Sequence, residues 1–125
     1  MKDIEKKIER VLRIGIAGEF FGHAMFAVQG KAAWIPWVQK FLPLSNAGAI
    51  QFLFWIGVLD IIIALVVLVK PFRPVVLWAV FWGFWTALLR PIVGESFWDF
   101  IERWTNWAAP LALYFVLRSK DQPKV

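Results

Sequence analysis

The stretch from Ala47 to Val69 contains one charged residue, Asp60, and this apolar run constrains the fold more than any other feature of the chain. The hydrocarbon core of a bilayer is about 30 Å thick, and a helix needs about 20 apolar residues to cross it. Three further segments have comparable length, of which 74–93 is also strongly apolar. The first and last segments are amphipathic and could lie in the interface instead, but glycine-rich packing and the even number of spans favour crossing. We therefore predict an all-α protein, an integral membrane four-helix bundle that forms one transmembrane domain over residues 1–125. The predicted spans are about 11–28, 47–69, 74–93 and 97–117.

The composition supports a lipid environment. Hydrophobic residues make up 60% of the chain and charged residues 18%, against roughly 45–50% and about 25% in soluble domains. A chain of 125 residues leaves too much of its surface exposed to bury that excess, so the lipid bilayer is its predicted partner. The net charge of +5 does not predict a nucleic-acid partner, because the basic residues are divided among the ends of the apolar segments.

The distribution of basic residues predicts the orientation. Ten of the 14 Lys and Arg residues fall on one side of the predicted spans, so both termini are expected to be cytoplasmic. The chain is then a multi-pass protein of the cell membrane, expected to be a bacterial or archaeal plasma (inner) membrane. The long connection between the first two spans would carry an outer interfacial segment at about 33–42. The ten residues are Lys2, Lys6, Lys7, Arg10, Arg13, Lys70, Arg73, Arg118, Lys120 and Lys124.

Several ionisable residues fall within the predicted spans, where each costs roughly 2.5–3.5 kcal/mol at mid-bilayer on insertion scales. Glu19 and His23 are four residues apart and share a helical face. By depth, these groups are predicted to converge between mid-bilayer and the outer surface. The predicted cluster contains Glu19, His23, Asp60, Arg90, Glu102 and Arg103, and it continues along the fourth span as a stripe of Asp99, Glu102, Arg103 and Asn106.

Three interpretations of this cluster remain open. The acidic and basic groups could neutralise one another and set helix register without a ligand. A buried carboxylate beside a histidine could relay protons. The same groups could anchor the headgroup of an amphiphile such as a quinone. A single histidine with no second ligand nearby does not predict a metal site, and no nucleophile–base pair predicts a catalytic residue.

Two further patterns concern packing. Gly15, Gly18 and Gly22 line one face of the first span, and Gly18 and Gly22 have the small-xxx-small spacing that allows close contact between helices. That contact could lie within the bundle or between copies. The aromatic series Trp78, Trp82 and Trp85 predicts a face toward lipid or a partner subunit, with stacking on a quinone or pigment as the alternative.

Short motifs occur along most of the chain: Arg13-Ile14-Gly15 with Gly22-His23 and Lys31, then Trp55-Ile56-Gly57-Val58-Leu59-Asp60, then Lys70 with Arg73, then Thr86-Ala87-Leu88-Leu89-Arg90-Pro91, and the segment from Glu102 to Leu111. In these motifs the chain resembles the DoxX-like group of small four-helix membrane proteins. The resemblance implies a compact four-helix bundle. It also implies a link to quinones, because one branch of the group resembles a membrane subunit of a thiosulfate:quinone oxidoreductase. The absence of cysteine excludes thiol chemistry within this chain.

Two functional hypotheses follow. The first is an accessory or anchoring subunit of a larger membrane complex linked to quinone and electron transfer, which would bind other membrane subunits. The second is a stand-alone protein, or a homo-oligomer, that binds or transports a small amphiphile or protons through the buried cluster. The sequence contains no assembled catalytic constellation for an enzyme acting alone.

Overall fold

The computed structural model describes residues 2–120, so Lys124, one of the ten basic residues counted above, lies outside it. The described residues form helices and no strand. The helices are α1 (Asp3–Val28), a short 3₁₀ helix (Ala32–Trp34), α2 (Ile35–Phe41), α3 (Asn46–Val69), α4 (Arg73–Ile92), α5 (Phe97–Glu102) and α6 (Thr105–Lys120). Three of them, α1, α3 and α4, are long and apolar enough to cross a membrane.

Local chemistry sets the helix ends. α3 begins after Ser45, whose hydroxyl accepts a hydrogen bond from the Gly48 amide at 3.1 Å, the usual role of an N-cap serine. α4 has Pro74 in its first turn, where the missing N–H leaves no helical bond unmade. α1 and α4 each end just before a glycine with positive φ, +66° at Gly30 and +100° at Gly94, a conformation that glycine adopts without strain.

The predicted bounds of the second and third spans agree with α3 and α4 to within one residue. α1 begins well before the predicted 11–28, because residues 3–10 are mostly charged but good helix formers, which continue the helix beyond the apolar segment. The predicted interfacial segment 33–42 contains the end of the 3₁₀ helix and all of α2.

The fourth predicted span, 97–117, is interrupted. A turn at Arg103 and Trp104 separates α5 from α6, and its amides bond to carbonyls three residues earlier. α6 has 16 residues, so it extends about 24 Å at 1.5 Å per residue. The stripe predicted on one continuous helix from Asp99 to Asn106 is therefore divided between two helices.

The helices pack as two pairs. α1 packs mainly against α3 and α4 mainly against α6, while contacts between α1 and α6 join the pairs. Buried apolar side chains from α1, α3, α4 and α6 fill the space between these four helices. This core contains Ile16, Ala17, Phe20, Ile63, Ala64, Val67, Val76, Ala79, Leu113 and Leu117.

Two glycines allow the helices of each pair to approach closely. A Cβ on Gly57 of α3 would lie 2.9 Å from the Ala24 carbonyl oxygen of α1, and a Cβ on Gly83 of α4 would lie 2.1 Å from the Asn106 carbonyl oxygen of α6. Both contacts therefore require glycine.

The glycines predicted to pack, Gly15, Gly18 and Gly22, lie elsewhere. They are on the outward side of α1, and a Cβ on any of them would meet no atom of the described chain within 4 Å. Packing of this glycine face within the bundle, one of the two alternatives from the sequence, is wrong.

Polar contacts join three helix ends at one end of the bundle. The Arg13 guanidinium donates from Nε to the Val67 carbonyl at 3.1 Å and from Nη2 to the Leu68 and Val69 carbonyls, the latter at 2.9 Å. Lys120 Nζ lies 2.6 Å from Glu9 Oε1. The start of α1 therefore lies beside the ends of α3 and α6, where the basic residues are concentrated.

Candidate ligand cavity

A cavity of about 180 Å³ lies at the opposite end of the bundle, between α1, α3, α4 and the α2 segment. Most of its lining is aromatic or aliphatic. Four polar side chains interrupt this lining: His23, Asp60, Thr86 and Arg90. The aromatic residues of the lining are Trp34, Trp37, Phe41, Trp82 and Trp85.

Asp60 is the most unusual residue of the lining. Its exposed fraction is 1%, and neither carboxylate oxygen has a hydrogen-bond partner among the described residues. Buried polar groups are almost always hydrogen-bonded, and each exception requires an explanation. Because the carboxyl group borders the cavity, a donor placed there would supply the missing bonds.

Arg90 lies in the last turn of α4 and is 8% exposed. Its guanidinium carbon is 4.6 Å from the ring centroid of Trp37 on α2, within the range of a cation–π contact. Its Nε has no hydrogen-bond partner in the described part of the chain. Arg90 therefore brings a cation and an unused donor to the cavity, and it also holds α2 against α4.

His23 reaches the same cavity from α1. Its ring is tilted against Trp34, with the centroids 5.1 Å apart, so the imidazole lies beside the aromatic wall. Its ring nitrogens add donor and acceptor capacity to the lining.

Glu19, one turn before His23, lies in an adjoining space of about 10 Å³. His23, Trp82 and Thr86 line both spaces. A volume of roughly 10–15 Å³ holds one water, so the smaller space has no room for a chain of waters.

The remaining charged residues of the predicted cluster do not line either space. The Arg103 Nη1 atom lies 3.1 Å from Glu102 Oε1 and 4.0 Å from Asp99 Oδ1, and it donates to the Asp99 carbonyl at 2.9 Å. The Glu102 side chain is 64% exposed. These residues form a local network around the turn between α5 and α6, and Asn106 lies against Gly83 through its backbone carbonyl.

The tryptophan series of α4 lies beside the cavity. Trp82 and Trp85 are in its lining, and Trp78 stacks on Trp82 with centroids 5.5 Å apart and planes 14° apart. Trp34 and Trp37 also line the cavity, although their sequence pattern predicts only an interfacial segment. The sequence signal for this role is that the two tryptophans are three residues apart and lie close in sequence to the predicted polar cluster.

The described residues contain no group of three His, Cys, Asp or Glu side chains that could hold a metal ion. The arrangement instead suits a small planar ligand. A cavity of about 150 Å³ lined by apolar side chains admits benzene, so about 180 Å³ suits a single ring with polar substituents. Aromatic side chains would stack on its faces, and Asp60, His23, Thr86 and Arg90 would bond at its edge.

We compared the chain with protein families, with curated proteins and with solved structures. None of the three comparisons finds a match.

Proposed function

We propose that the chain is a multi-pass membrane protein that binds a small amphiphile with a single-ring polar headgroup, and that a quinone is the ligand class that fits best. The observation that carries this proposal is the Asp60 carboxyl group, which is buried at the edge of an aromatic cavity and has no hydrogen-bond partner within residues 2–120. A quinone offers two opposed carbonyls and a flat face. Arg90 and His23 can donate to the carbonyls, and Asp60 can accept from the hydroxyls of the reduced quinol.

The proposed topology has four crossings: α1, α3, α4 and the α5–α6 unit, with cytoplasmic termini. Two contacts support this topology. Arg13 bonds the start of α1 to the end of α3, and the Glu9–Lys120 pair joins it to the end of α6. The basic residues then lie on the cytoplasmic side. A DoxX-like relationship, a location in a bacterial or archaeal plasma membrane and the four-helix bundle belong to this same proposal.

The test uses the purified full-length chain in lipid nanodiscs. A short-chain benzoquinone and its quinol are titrated while tryptophan fluorescence is recorded, since four tryptophans line the cavity. Asp60→Asn is expected to weaken quinol binding about tenfold or more, because a hydrogen bond to a charged group contributes about 1.5–3 kcal/mol.

Asp99→Asn is the matched control, because it makes the same chemical change in the network around Arg103, outside the cavity. It should leave quinol binding unchanged. Equal quinol affinity in wild type and Asp60→Asn would contradict the proposed site, and absence of binding by the wild-type chain would contradict the ligand class.

The same cavity bears on the proton-relay alternative, in which Glu19, His23 and Asp60 would exchange protons. The space beside Glu19 is about 10 Å³, which disfavours a water chain. Proton uptake by proteoliposomes that contain the isolated chain, lost in Glu19→Gln, would favour the relay over ligand binding.

A second candidate function, the accessory or anchoring subunit, is favoured by the outward glycine face of α1. Gly18 and Gly22 have the spacing at which membrane helices pack closely, and the described chain leaves that face uncovered. Mass spectrometry of the protein purified from its native membrane in mild detergent would distinguish partner subunits, a homo-oligomer and a lone chain. Gly18→Leu should disrupt a complex, whereas Ala112→Leu, a similar change at an exposed position of α6, should not.

A further inference from the structure

A basic crevice lies at the end of the bundle away from the cavity. It has a volume of about 350 Å³ and is open to the surroundings. The lining comes from the first turns of α1 and the last residue of α6. It consists of Lys6, Glu9, Arg10, Arg13 and Lys120.

The crevice is strongly positive. Among the described residues, Glu9 is the one carboxylate that lines it, and its side chain is 9% exposed and paired with Lys120 at 2.6 Å. The charge of Glu9 is thus already compensated within the fold. Lys6, Arg10 and Arg13 remain as three cations around one concave surface, an arrangement that attracts an anion.

The position of the crevice along the bundle indicates which kind of anion it would bind. Arg13 is bonded to the last carbonyls of α3, the most hydrophobic helix of the described chain, so the crevice lies where this helix ends. Ile14, one turn along α1 from Arg10, is 58% exposed, and Leu68 of α3 is 43% exposed. A cationic surface therefore continues directly into an apolar one, which suits a headgroup attached to acyl chains better than a soluble anion.

We propose that this crevice binds the phosphate of an anionic phospholipid, with the acyl chains lying along the exposed apolar side chains of α1 and α3. Basic pockets beside membrane helices bind anionic headgroups in this way. The site is separate from the cavity near Asp60, and it does not depend on the ligand proposed there.

The test uses the full-length chain, delipidated in a neutral detergent and titrated with phosphatidylglycerol or with phosphatidylcholine of the same acyl chains. Bound lipid is counted by native mass spectrometry, and the thermal unfolding midpoint is followed in parallel. Phosphatidylglycerol should bind at least about tenfold tighter and raise the midpoint. Lys6→Gln/Arg10→Gln should weaken its binding about 25-fold, since each basic residue near a membrane surface contributes about fivefold.

The matched control is Lys2→Gln/Lys7→Gln, which removes the same charge from exposed residues of the same segment that do not line the crevice. It should retain most of the phosphatidylglycerol affinity. Lys6 and Arg10 are exposed, so both double variants should keep the helical circular dichroism of the wild type.

Three results would overturn the proposal. Equal losses in the two double variants would indicate a diffuse surface potential in place of a site. Equal binding of the two lipids would remove the role of the anion. An equal rise of the unfolding midpoint with inorganic phosphate at the same concentration would assign the crevice to a soluble anion.

Discussion

The close approach of Gly83 on α4 to the Asn106 carbonyl on α6 predicts that alanine at position 83 destabilises the protein. Pro110 has no N–H, so the carbonyl of Asn106, four residues earlier, receives no hydrogen bond from position 110. That carbonyl points at α4, and a Cβ on Gly83 would lie 2.1 Å from its oxygen. Gly83→Ala therefore places a methyl group against backbone, where no side-chain rotation can relieve the overlap.

An ordinary contact begins near 3.4 Å, so α6 must move by about 1 Å to admit the methyl group. Overpacking of this kind costs about 1–3 kcal/mol, and the obstruction by backbone indicates the upper end. Replacing glycine by alanine in a helix returns about 1 kcal/mol. Gly83→Ala is expected to lower the free energy of unfolding by about 2 kcal/mol.

The assay is an unfolding titration with sodium dodecyl sulfate in mixed micelles, followed by tryptophan fluorescence. Gly18→Ala is the control, because it makes the same change on α1, where a Cβ meets no atom of the described residues within 4 Å. It should be neutral or slightly stabilising. A Gly83→Ala protein as stable as Gly18→Ala would refute the close approach of α4 and α6.

Three further predictions concern side chains in other parts of the fold. Arg13→Gln should lower the free energy of unfolding by about 2 kcal/mol, because charge-assisted bonds to the last turn of α3 are lost. Hydrogen exchange of the amides in that turn should accelerate. The control Lys7→Gln should change neither the free energy of unfolding nor the exchange rate. Asp60→Asn should leave the free energy of unfolding of the ligand-free protein unchanged or higher, because the carboxylate has no partner among the described residues. A loss of about 3–5 kcal/mol on titration with sodium dodecyl sulfate would instead indicate a buried ion pair. Trp37→Leu should remove about 1 kcal/mol of cation–π attraction to Arg90 and increase proteolysis within residues 29–45, while the rest of the chain stays protected.

The two most apolar helices could be located from sequence because their signal is local. A run such as Ala47 to Val69 has few alternatives in a short chain, and α3 and α4 match the predicted spans closely. The interruption between α5 and α6 was missed because the run after Arg103 is apolar enough to continue a span. Thr105 and Asn106 are poor helix formers that compete for backbone hydrogen bonds, but composition alone gives them little weight.

The candidate site shows a different limit. Helical spacing assigns residues to faces of one helix, but it does not determine which faces of different helices meet. The structure brings His23, Asp60 and Arg90 to one cavity, whereas Arg103 bonds to its neighbours in sequence. The same limit applies to glycine, since periodicity alone could not show that Gly83 faces a helix and Gly18 faces outward.

The residues that line the cavity come from two kinds of structural element. Asp60 and the tryptophans of α4 stand on helices that form the bundle, whereas Trp34 and Trp37 belong to the connection between α1 and α3. Connections of this kind accept substitution more readily than the elements they join. Changes at these two positions can therefore alter the size and shape of the cavity while the core between α1, α3, α4 and α6 keeps its packing, so the cavity can diverge faster than the fold.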